Sequence, residues 1–102
     1  MSEPEEIQEL DKFEISEDLQ RDLLNLVLTD RNFLIDSMRL LRPSYFTNNV
    51  SEDICKIIQE HFRKYDNPIT IEILENEIKN QFQQNNQYPR YLSELDLISW
   101  LS

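Results

Sequence analysis

The chain of 102 residues contains no glycine. Glycine readily takes positive φ angles and lets the backbone approach a ligand closely. Two-residue hairpins favour it, and the phosphate-binding loops of nucleotide-binding proteins need it. The sequence therefore argues against a hairpin-rich β-fold and against a phosphate loop. An all-helical domain whose turns are made by Asn, Asp and Pro is the simplest architecture for such a chain.

Length and composition favour one small intracellular domain. Hydrophobic residues make up 39% of the chain and aromatic residues 10%, which is not the composition of a disordered protein. No apolar run approaches the roughly 20 residues of a membrane span, and the acidic N-terminus does not resemble a secretory signal. The single cysteine, Cys55, excludes an internal disulfide framework. We therefore expect a cytoplasmic protein.

The negative charge is concentrated near the N-terminus. The formal net charge is −10, and residues 1–22 hold nine acidic and two basic side chains. Because an acidic surface repels phosphate, we expect little direct DNA binding. Residues 1–15 are predicted to form an acidic, flexible tail that is either solvated or docks on a basic partner. Its candidate apolar anchors are Ile7, Leu10, Phe13 and Ile15.

Apolar residues at helical spacing predict a compact all-α bundle of about five to six short helices over residues 16–102. Polar residues just before apolar runs indicate where helices begin. The predicted N-caps are Ser16, Asp30, Thr70, Ser93 and a capping box of Asn49 and Glu52. Pro43 is predicted to end one helix and to open a short helical turn over residues 43–46.

Two of the predicted helices have apolar faces that bear on the packing of the domain. The first helix presents an apolar face of Leu19, Leu23, Leu26 and Val27, widened by Leu24 and Leu28. The last helix presents Leu92, Leu95, Ile98 and Leu101. The face of the first helix is predicted to be well buried.

The reactive residue types do not form a catalytic arrangement. His61 is the only histidine, and Cys55 lies six residues away, so metal-ligand spacing is lacking. We interpret His61 as a half-buried structural residue and Cys55 as a core or boundary cysteine. The acidic residues Glu72, Glu75 and Glu77 fit a solvated helix face. We therefore expect a protein that is not an enzyme and holds neither a metal nor a cofactor.

The candidate functional residues are partner-binding ones. Arg39 and Arg42, with Arg31, form the strongest basic cluster, which either makes salt bridges to nearby acids or contacts an acidic partner. In the last helix, Leu97, Trp100 and Leu101 are the candidate apolar contacts. That helix either packs back on the core or is the beginning of a longer helix that has been cut.

Helix starts, prolines and apolar stretches follow one another in an informative order from Leu19 to Leu101. In chain order they are a leucine-rich helix over residues 19–28, Asp30 and Phe33, Leu41 with Pro43 and Phe46, an aliphatic helix ending at Tyr65, Pro68 and Thr70, a helix with Leu74 and Ile78, and Tyr91 with Leu92. This order resembles the N-terminal domain of DnaB-type replicative DNA helicases. The version with Tyr65 and a long polar loop is most similar to helicases of tailed phages.

The resemblance implies an all-α, non-catalytic domain over residues 16–102 that caps a hexameric helicase ring. Such a domain helps to build a collar of domain pairs around DNA and contacts primase or a helicase loader. The implied partners are the other helicase subunits, primase or a loader, and the implied location is the host cytoplasm if a phage encodes the chain. The parent protein would then be an ATP-dependent DNA helicase.

The sequence departs from the family in three respects. The long helical hairpin that follows the globular part in the family and the ATPase domain are both missing, so we expect a fragment of a longer protein. The acidic residues 1–15 and the lack of glycine and alanine differ from many bacterial members. The alternative is a free-standing helicase-binding adaptor or a primase-type helicase-interaction domain, which has a similar helical fold.

Overall fold

A computed structural model describes residues 16–100 of the chain, with only the backbone of Trp100 described. Five α-helices and one short 3-10 helix occur in this part, and no strand does, which confirms the predicted all-α fold. The helices are α1 (Glu17–Thr29), α2 (Arg31–Leu40), the 3-10 helix (Pro43–Tyr45), α3 (Asn49–Tyr65), α4 (Ile71–Phe82) and α5 (Tyr88–Trp100). The predicted tail over residues 1–15, with its apolar anchors, and Leu101 lie outside the described residues.

Three helices begin where the sequence predicts. The side chain of Ser16 accepts a hydrogen bond from the Leu19 N–H, and Asp30 accepts one from the Phe33 N–H. Thr70 caps α4 in the same way. Each cap satisfies one of the N–H groups that have no partner within the first turn of a helix. The helical turn at Pro43 is also confirmed, although it ends one residue earlier than predicted.

The predicted capping box of Asn49 and Glu52 is wrong. Asn48, not Asn49, caps α3, because its Oδ1 accepts from the Val50 N–H at 2.8 Å. Asn49 is the first helical residue, and its Nδ2 donates to Oε1 of Gln87 at 3.0 Å. Glu52 approaches Lys56 at 3.9 Å and closes no capping box.

The start of α5 also differs from the prediction. Ser93 was expected to cap this helix, but α5 begins at Tyr88, so Ser93 lies inside it. Pro89 is the second helical residue, where the missing N–H removes no hydrogen bond of the helix. The proline therefore helps to start the helix, and no serine cap is needed there.

The turn after α3 is built without glycine. Asp66 ends the helix in the left-handed region, with φ 56° and ψ 28°, and its N–H donates to the Phe62 carbonyl at 2.8 Å. Aspartate tolerates this conformation better than most residues do. The chain thus reverses direction toward Thr70 and α4 at the predicted turn.

The core lies around α3, which packs against α1, the 3-10 helix, α4 and α5. Its apolar members come from all five α-helices and from the connecting segments. They include Leu24, Val27, Leu34, Phe46, Val50, Ile54, Ile58, Ile69, Leu74, Ile78, Tyr91, Leu95 and Ile98. None of the helices of residues 16–100 combines the length and the apolar character needed to cross a membrane.

The buried face of α1 agrees with the predicted one in part. Leu24, Val27 and Leu28 are buried as predicted, but Leu19 and Leu26 are exposed and Gln20 is buried. Gln20 can be buried because its amide is hydrogen-bonded: Nε2 donates to Oγ1 of Thr47 at 3.0 Å, and the Thr47 N–H donates to Oε1 at 3.2 Å. These bonds turn the Gln20 side of the helix inward.

The buried face of α5 is shifted in a similar way. Leu95 and Ile98 are buried as predicted, but Tyr91 occupies the inner position and Leu92 is 37% exposed. The ring of Tyr91 stacks on Phe82 of α4, with centroids 4.1 Å apart. The stacked pair keeps Tyr91, and not Leu92, on the buried side of the helix.

Candidate protein-binding surface

An ion pair holds α5 against α1. Nε of Arg21 donates to Oε2 of Glu94 at 2.9 Å, and Nη2 donates to Oε1 at 3.2 Å. Glu94 is only 7% exposed, so the two parallel bonds replace most of the water around its carboxylate. The hydrogen bond to Glu94 raises the pKa of Arg21 above its ordinary value, which keeps the guanidinium charged.

A second contact between the same helices lies one turn further along. Nδ2 of Asn25 donates to the Ile98 carbonyl at 2.7 Å. Asn25 follows Arg21 by four residues, and Ile98 follows Glu94 by four, so α1 and α5 run in the same direction at this contact. The bond also satisfies one of the last carbonyls of α5, which have no partner within the helix.

Tyr91 fixes α5 to α3. Its hydroxyl donates to Oδ2 of Asp53 at 2.6 Å, and its ring is buried. Burial, followed by the hydrogen bond to Asp53, raises the pKa of Tyr91 from 10.0 to about 12. Sequence analysis missed Tyr91 and the α1 residues as anchors, because their partners are far away along the chain.

Because folding raises the pKa of Tyr91, the stability of the domain depends on pH in the alkaline range. Unfolded chains ionise this tyrosine near pH 10, whereas the folded protein keeps it neutral up to about pH 12. Its contribution to stability is therefore complete below pH 10 and is lost as the pH rises to 12. We expect Tyr91→Phe to be less stable by about 1 kcal/mol at neutral pH and to lose less stability over this range.

Urea unfolding at pH 8, 10 and 11 measures this difference. Tyr65→Phe is the matched control, because Tyr65 is exposed. The Tyr65→Phe variant should lose as much stability over this pH range as the unmodified protein does. An equally steep loss for Tyr91→Phe would contradict the assignment. Cys55 is present in all three proteins and contributes equally to each.

Two leucines of α5 are exposed to solvent. Leu92 and Leu97 are 37% and 45% exposed, and they lie on the two flanks of the buried face. The only exposed acidic residue of this helix is Asp96. A helix that is apolar on more than one side is normally covered on more than one side. We call Leu92 and Leu97 the outer leucines of α5.

One outer leucine borders a groove between α4 and α5. The groove has a volume of about 450 Å³ and is open to solvent. Half of its eight lining residues are apolar and half are polar: Ile71, Pro89, Leu92 and Leu95, with Glu75, Ser93, Asp96 and Ser99. The shape and lining suit an apolar side chain from another protein better than a charged small molecule.

The predicted partner-binding residues fall in different parts of the structure. Leu97 is exposed on α5, as a contact residue should be, whereas the Trp100 side chain and Leu101 lie outside the described part. Arg39 is near the end of α2, and Arg42 follows that helix; both are exposed. No hydrogen bond or ion pair within residues 16–100 joins either arginine to α5, so the two sets do not form one site.

Within the described residues, Arg31, Arg39 and Arg42 do not form the salt bridges that were one of the two predicted roles of this cluster. The ion pairs found there involve Arg21 and Lys56. Arg31 instead lies over the ring of Phe62, with Cζ 5.7 Å from the centroid. This is a cation–π contact, which holds Arg31 against α3.

The reactive residues occupy structural positions. Cys55 is fully buried, and burial followed by the charge of Glu52 raises the pKa of its thiol to about 12, so little nucleophilic thiolate forms at neutral pH. His61 is half-buried, as predicted, and its ring lies 4.7 Å from that of Tyr65. Between residues 16 and 100, no three His, Cys, Asp or Glu side chains are grouped so that they could hold a metal ion.

Comparison with known proteins identifies no relative. No protein-family model, no curated protein and no solved structure matches the chain. The function therefore has to be argued from the order of the sequence motifs and from the surfaces described above.

Proposed function

We propose that this chain is a non-catalytic N-terminal domain of a DnaB-type replicative DNA helicase. In this role it mediates ring assembly and contacts primase or a helicase loader. The observation that carries the proposal is the order of helix starts. Asp30 opens α2, Pro43 opens the 3-10 helix and Thr70 opens α4, in the sequence on which the resemblance rests.

The outer leucines of α5 support a role in assembly. They are presented by a helix that is fixed to α1 and α3 by the bonds of Glu94, Ile98 and Tyr91. A rigid apolar surface loses little conformational entropy when a partner covers it, so its burial contributes efficiently to affinity. The proposed occupant of this side of α5 is a neighbouring helicase subunit.

The same proposal includes that this domain does not catalyse a reaction. A hydrolase needs a nucleophile next to a base, and the cysteine of the described residues, Cys55, is buried with a raised pKa. The groove between α4 and α5 is lined by two carboxylates, Glu75 and Asp96, together with two serines and four apolar residues. These features fit a binding domain whose parent protein carries the ATPase elsewhere.

The first test is the sequence of the gene beyond the codon for Ser102. We expect the frame to continue into a helical hairpin and then a phosphate-binding loop of the form G-x-x-x-x-G-K-[ST]. The protein that includes this sequence should self-associate in sedimentation analysis as its concentration rises. An extended protein that stays monomeric at all concentrations would overturn the proposal.

A free-standing helicase-binding adaptor is the second candidate. It is favoured by Arg39 and Arg42, which are exposed and have no acidic partner within residues 16–100, as a docking site for an acidic protein requires. A stop codon directly after Ser102, together with capture of a replicative helicase by the 102-residue protein, would select this candidate.

A further inference from the structure

The two walls of the groove between α4 and α5 repeat one arrangement of side chains. On the α4 wall, Ile71 is followed four residues later by Glu75, and on the α5 wall, Leu92 is followed four residues later by Asp96. Residues four apart lie on the same side of a helix. Each wall therefore presents an apolar side chain and, one turn further along, a carboxylate. Leu95, a core residue, also lines the groove.

The two carboxylates of the groove have no counter-charge within residues 16–100. Neither Glu75 nor Asp96 has a side-chain hydrogen bond or an ion pair there. Lys79 follows Glu75 by one turn, but it forms no ion pair with it and does not line the groove. The nearest basic residue to Asp96 along α5 is Arg90, six residues earlier, and it does not line the groove either. The groove is therefore negative and attracts cationic groups.

The α5 wall of the groove is held in place before any ligand binds. The hydroxyl of Tyr91 bonds to Asp53 of α3, and its ring stacks on Phe82 of α4. Glu94, two residues after Leu92, is paired with Arg21 of α1. A ligand that enters the groove therefore loses little free energy to the ordering of this helix.

The length of the groove suits a helix of a partner. Its α5 wall runs from Pro89 to Ser99, which is about 15 Å along a helix. A helix of about three turns has the same length. Helices that bind in grooves insert apolar residues spaced three and four apart, and their flanking side chains contact the rims. The volume of about 450 Å³ has room for several such side chains.

We propose that the groove between α4 and α5 binds an amphipathic helix of a different protein, whose row of apolar residues is flanked on both sides by lysine or arginine. The apolar row lies against Ile71, Leu92 and Leu95. The basic side chains on one flank reach Glu75, and those on the other flank reach Asp96. The match of an apolar floor with one carboxylate on each wall defines this ligand.

The sign of the charge disfavours two other occupants. A second copy of the chain has a net charge of −10, and residues 1–15 contain six acidic residues and one lysine. Either would bring negative charge against Glu75 and Asp96, and like charges across an interface cost free energy. A basic segment replaces this repulsion by attraction. The charge of the groove therefore selects a partner whose sequence differs from this chain.

The two outer leucines of α5 then have different partners. Leu92 borders the groove and is covered by the basic helix. Leu97 does not line the groove, so it stays available to a neighbouring subunit of the proposed ring. Binding in the groove does not depend on whether the chain belongs to a helicase.

The test titrates the isotope-labelled full chain with a synthetic helical peptide of about four turns. The peptide has leucine on one side, lysine and arginine on both flanks, and alanine elsewhere. We expect changes in the amide chemical shifts of residues 71–75 and 89–99, which weaken at high salt. A peptide with glutamate in place of each basic residue should not bind. No binding of the basic peptide, or shift changes spread evenly over the domain, would overturn the proposal.

A variant of the groove and its matched control locate the binding. Glu75→Gln with Asp96→Asn removes both carboxylates and should weaken binding of the basic peptide at least about fivefold at low salt. Glu60→Gln with Asp36→Asn makes the same charge change at exposed positions of α3 and α2 outside the groove, and should weaken it less than about twofold. Equal weakening would mean that the peptide responds only to the net charge, which would overturn the assignment to the groove.

The same spectra test for a second copy in the groove. Without peptide, the chemical shifts of residues 71–75 and 89–99 should not depend on the concentration of the chain. Shifts that change with concentration there would show that a second copy occupies the groove, which contradicts the proposal. Failure of the peptide to bind leaves the helicase proposal intact, because that proposal is tested by the gene beyond Ser102 and by self-association of the extended protein.

Discussion

Replacing Arg21 by methionine is expected to lower the free energy of unfolding by about 2–3 kcal/mol, because it leaves the Glu94 carboxylate buried without its cation. Breaking a fully buried pair costs about 3–5 kcal/mol. We expect a smaller loss, about 2–3 kcal/mol, because the Arg21 side chain is 22% exposed and water can partly replace it. For a domain of this size, the melting temperature should fall by roughly 10–20 °C. Urea and thermal unfolding of the unmodified protein and of the Arg21→Met variant measure the effect.

Two further variants show whether the loss comes from the stranded carboxylate. Arg21→Met combined with Glu94→Leu should recover most of the stability, since no unpaired charge then remains. Asp18→Asn removes only the exposed contact of Arg21 with Asp18 at 3.4 Å and should change stability by less than about 0.5 kcal/mol. If the double variant is as unstable as Arg21→Met alone, the ion pair is not the reason for the loss.

Leu97→Asp is expected to weaken self-association of the proposed parent helicase by at least about tenfold, equivalent to about 1.4 kcal/mol. The substitution places a charge on an outer leucine of α5, where the proposed neighbouring subunit would have to remove its water. Because Leu97 is already 45% exposed, the fold of the domain should be little affected. Sedimentation of the parent protein over a range of concentrations measures the association.

Ile73→Asp is the matched control for this prediction. Ile73 is 41% exposed, also on a helix, but it lies on α4 and does not line the groove between α4 and α5. The control should associate as the unmodified protein does. Equal weakening by both substitutions would mean that added negative charge, not the outer surface of α5, determines the result.

Features that depend on neighbouring residues could be predicted from the sequence. The caps at Ser16, Asp30 and Thr70 each involve an N–H only three residues away, so the local pattern contains the information. The predicted capping box is also a local feature, but this prediction was wrong, because Asn48 and Asn49 are both suitable caps. Only the contact of Asn49 with Gln87, 38 residues away, distinguishes the two.

Features that depend on distant residues could not be predicted. The side of α1 that carries Gln20 faces inward because Gln20 is hydrogen-bonded to Thr47. Hydrophobicity alone would predict that a glutamine lies on the outside. The anchoring of α5 depends on Arg21, whose partner Glu94 is 73 residues away. Without the three-dimensional arrangement, no pattern in the sequence connects these residues.

The partner-binding role of the candidate residues stays a prediction. Leu97 is exposed on α5 and is therefore available for contact. Arg39 and Arg42 lie at the end of α2 and beyond it, where Gln59 of α3 bonds to the Leu41 carbonyl. The sequence showed which residues were available but not which surfaces they share.

The contacts between α1 and α5 have a consequence for synthesis on the ribosome. α1 is translated first, yet the partners of Arg21 and Asn25 are Glu94 and Ile98, each 73 residues later. At about 5–20 residues per second, roughly 4–15 s pass before these partners exist. During this interval the nascent first helix has neither its counter-charge nor its final neighbour. The domain can close only when its last helix has left the exit tunnel, so stalling or premature termination before α5 would leave a chain that cannot complete its fold.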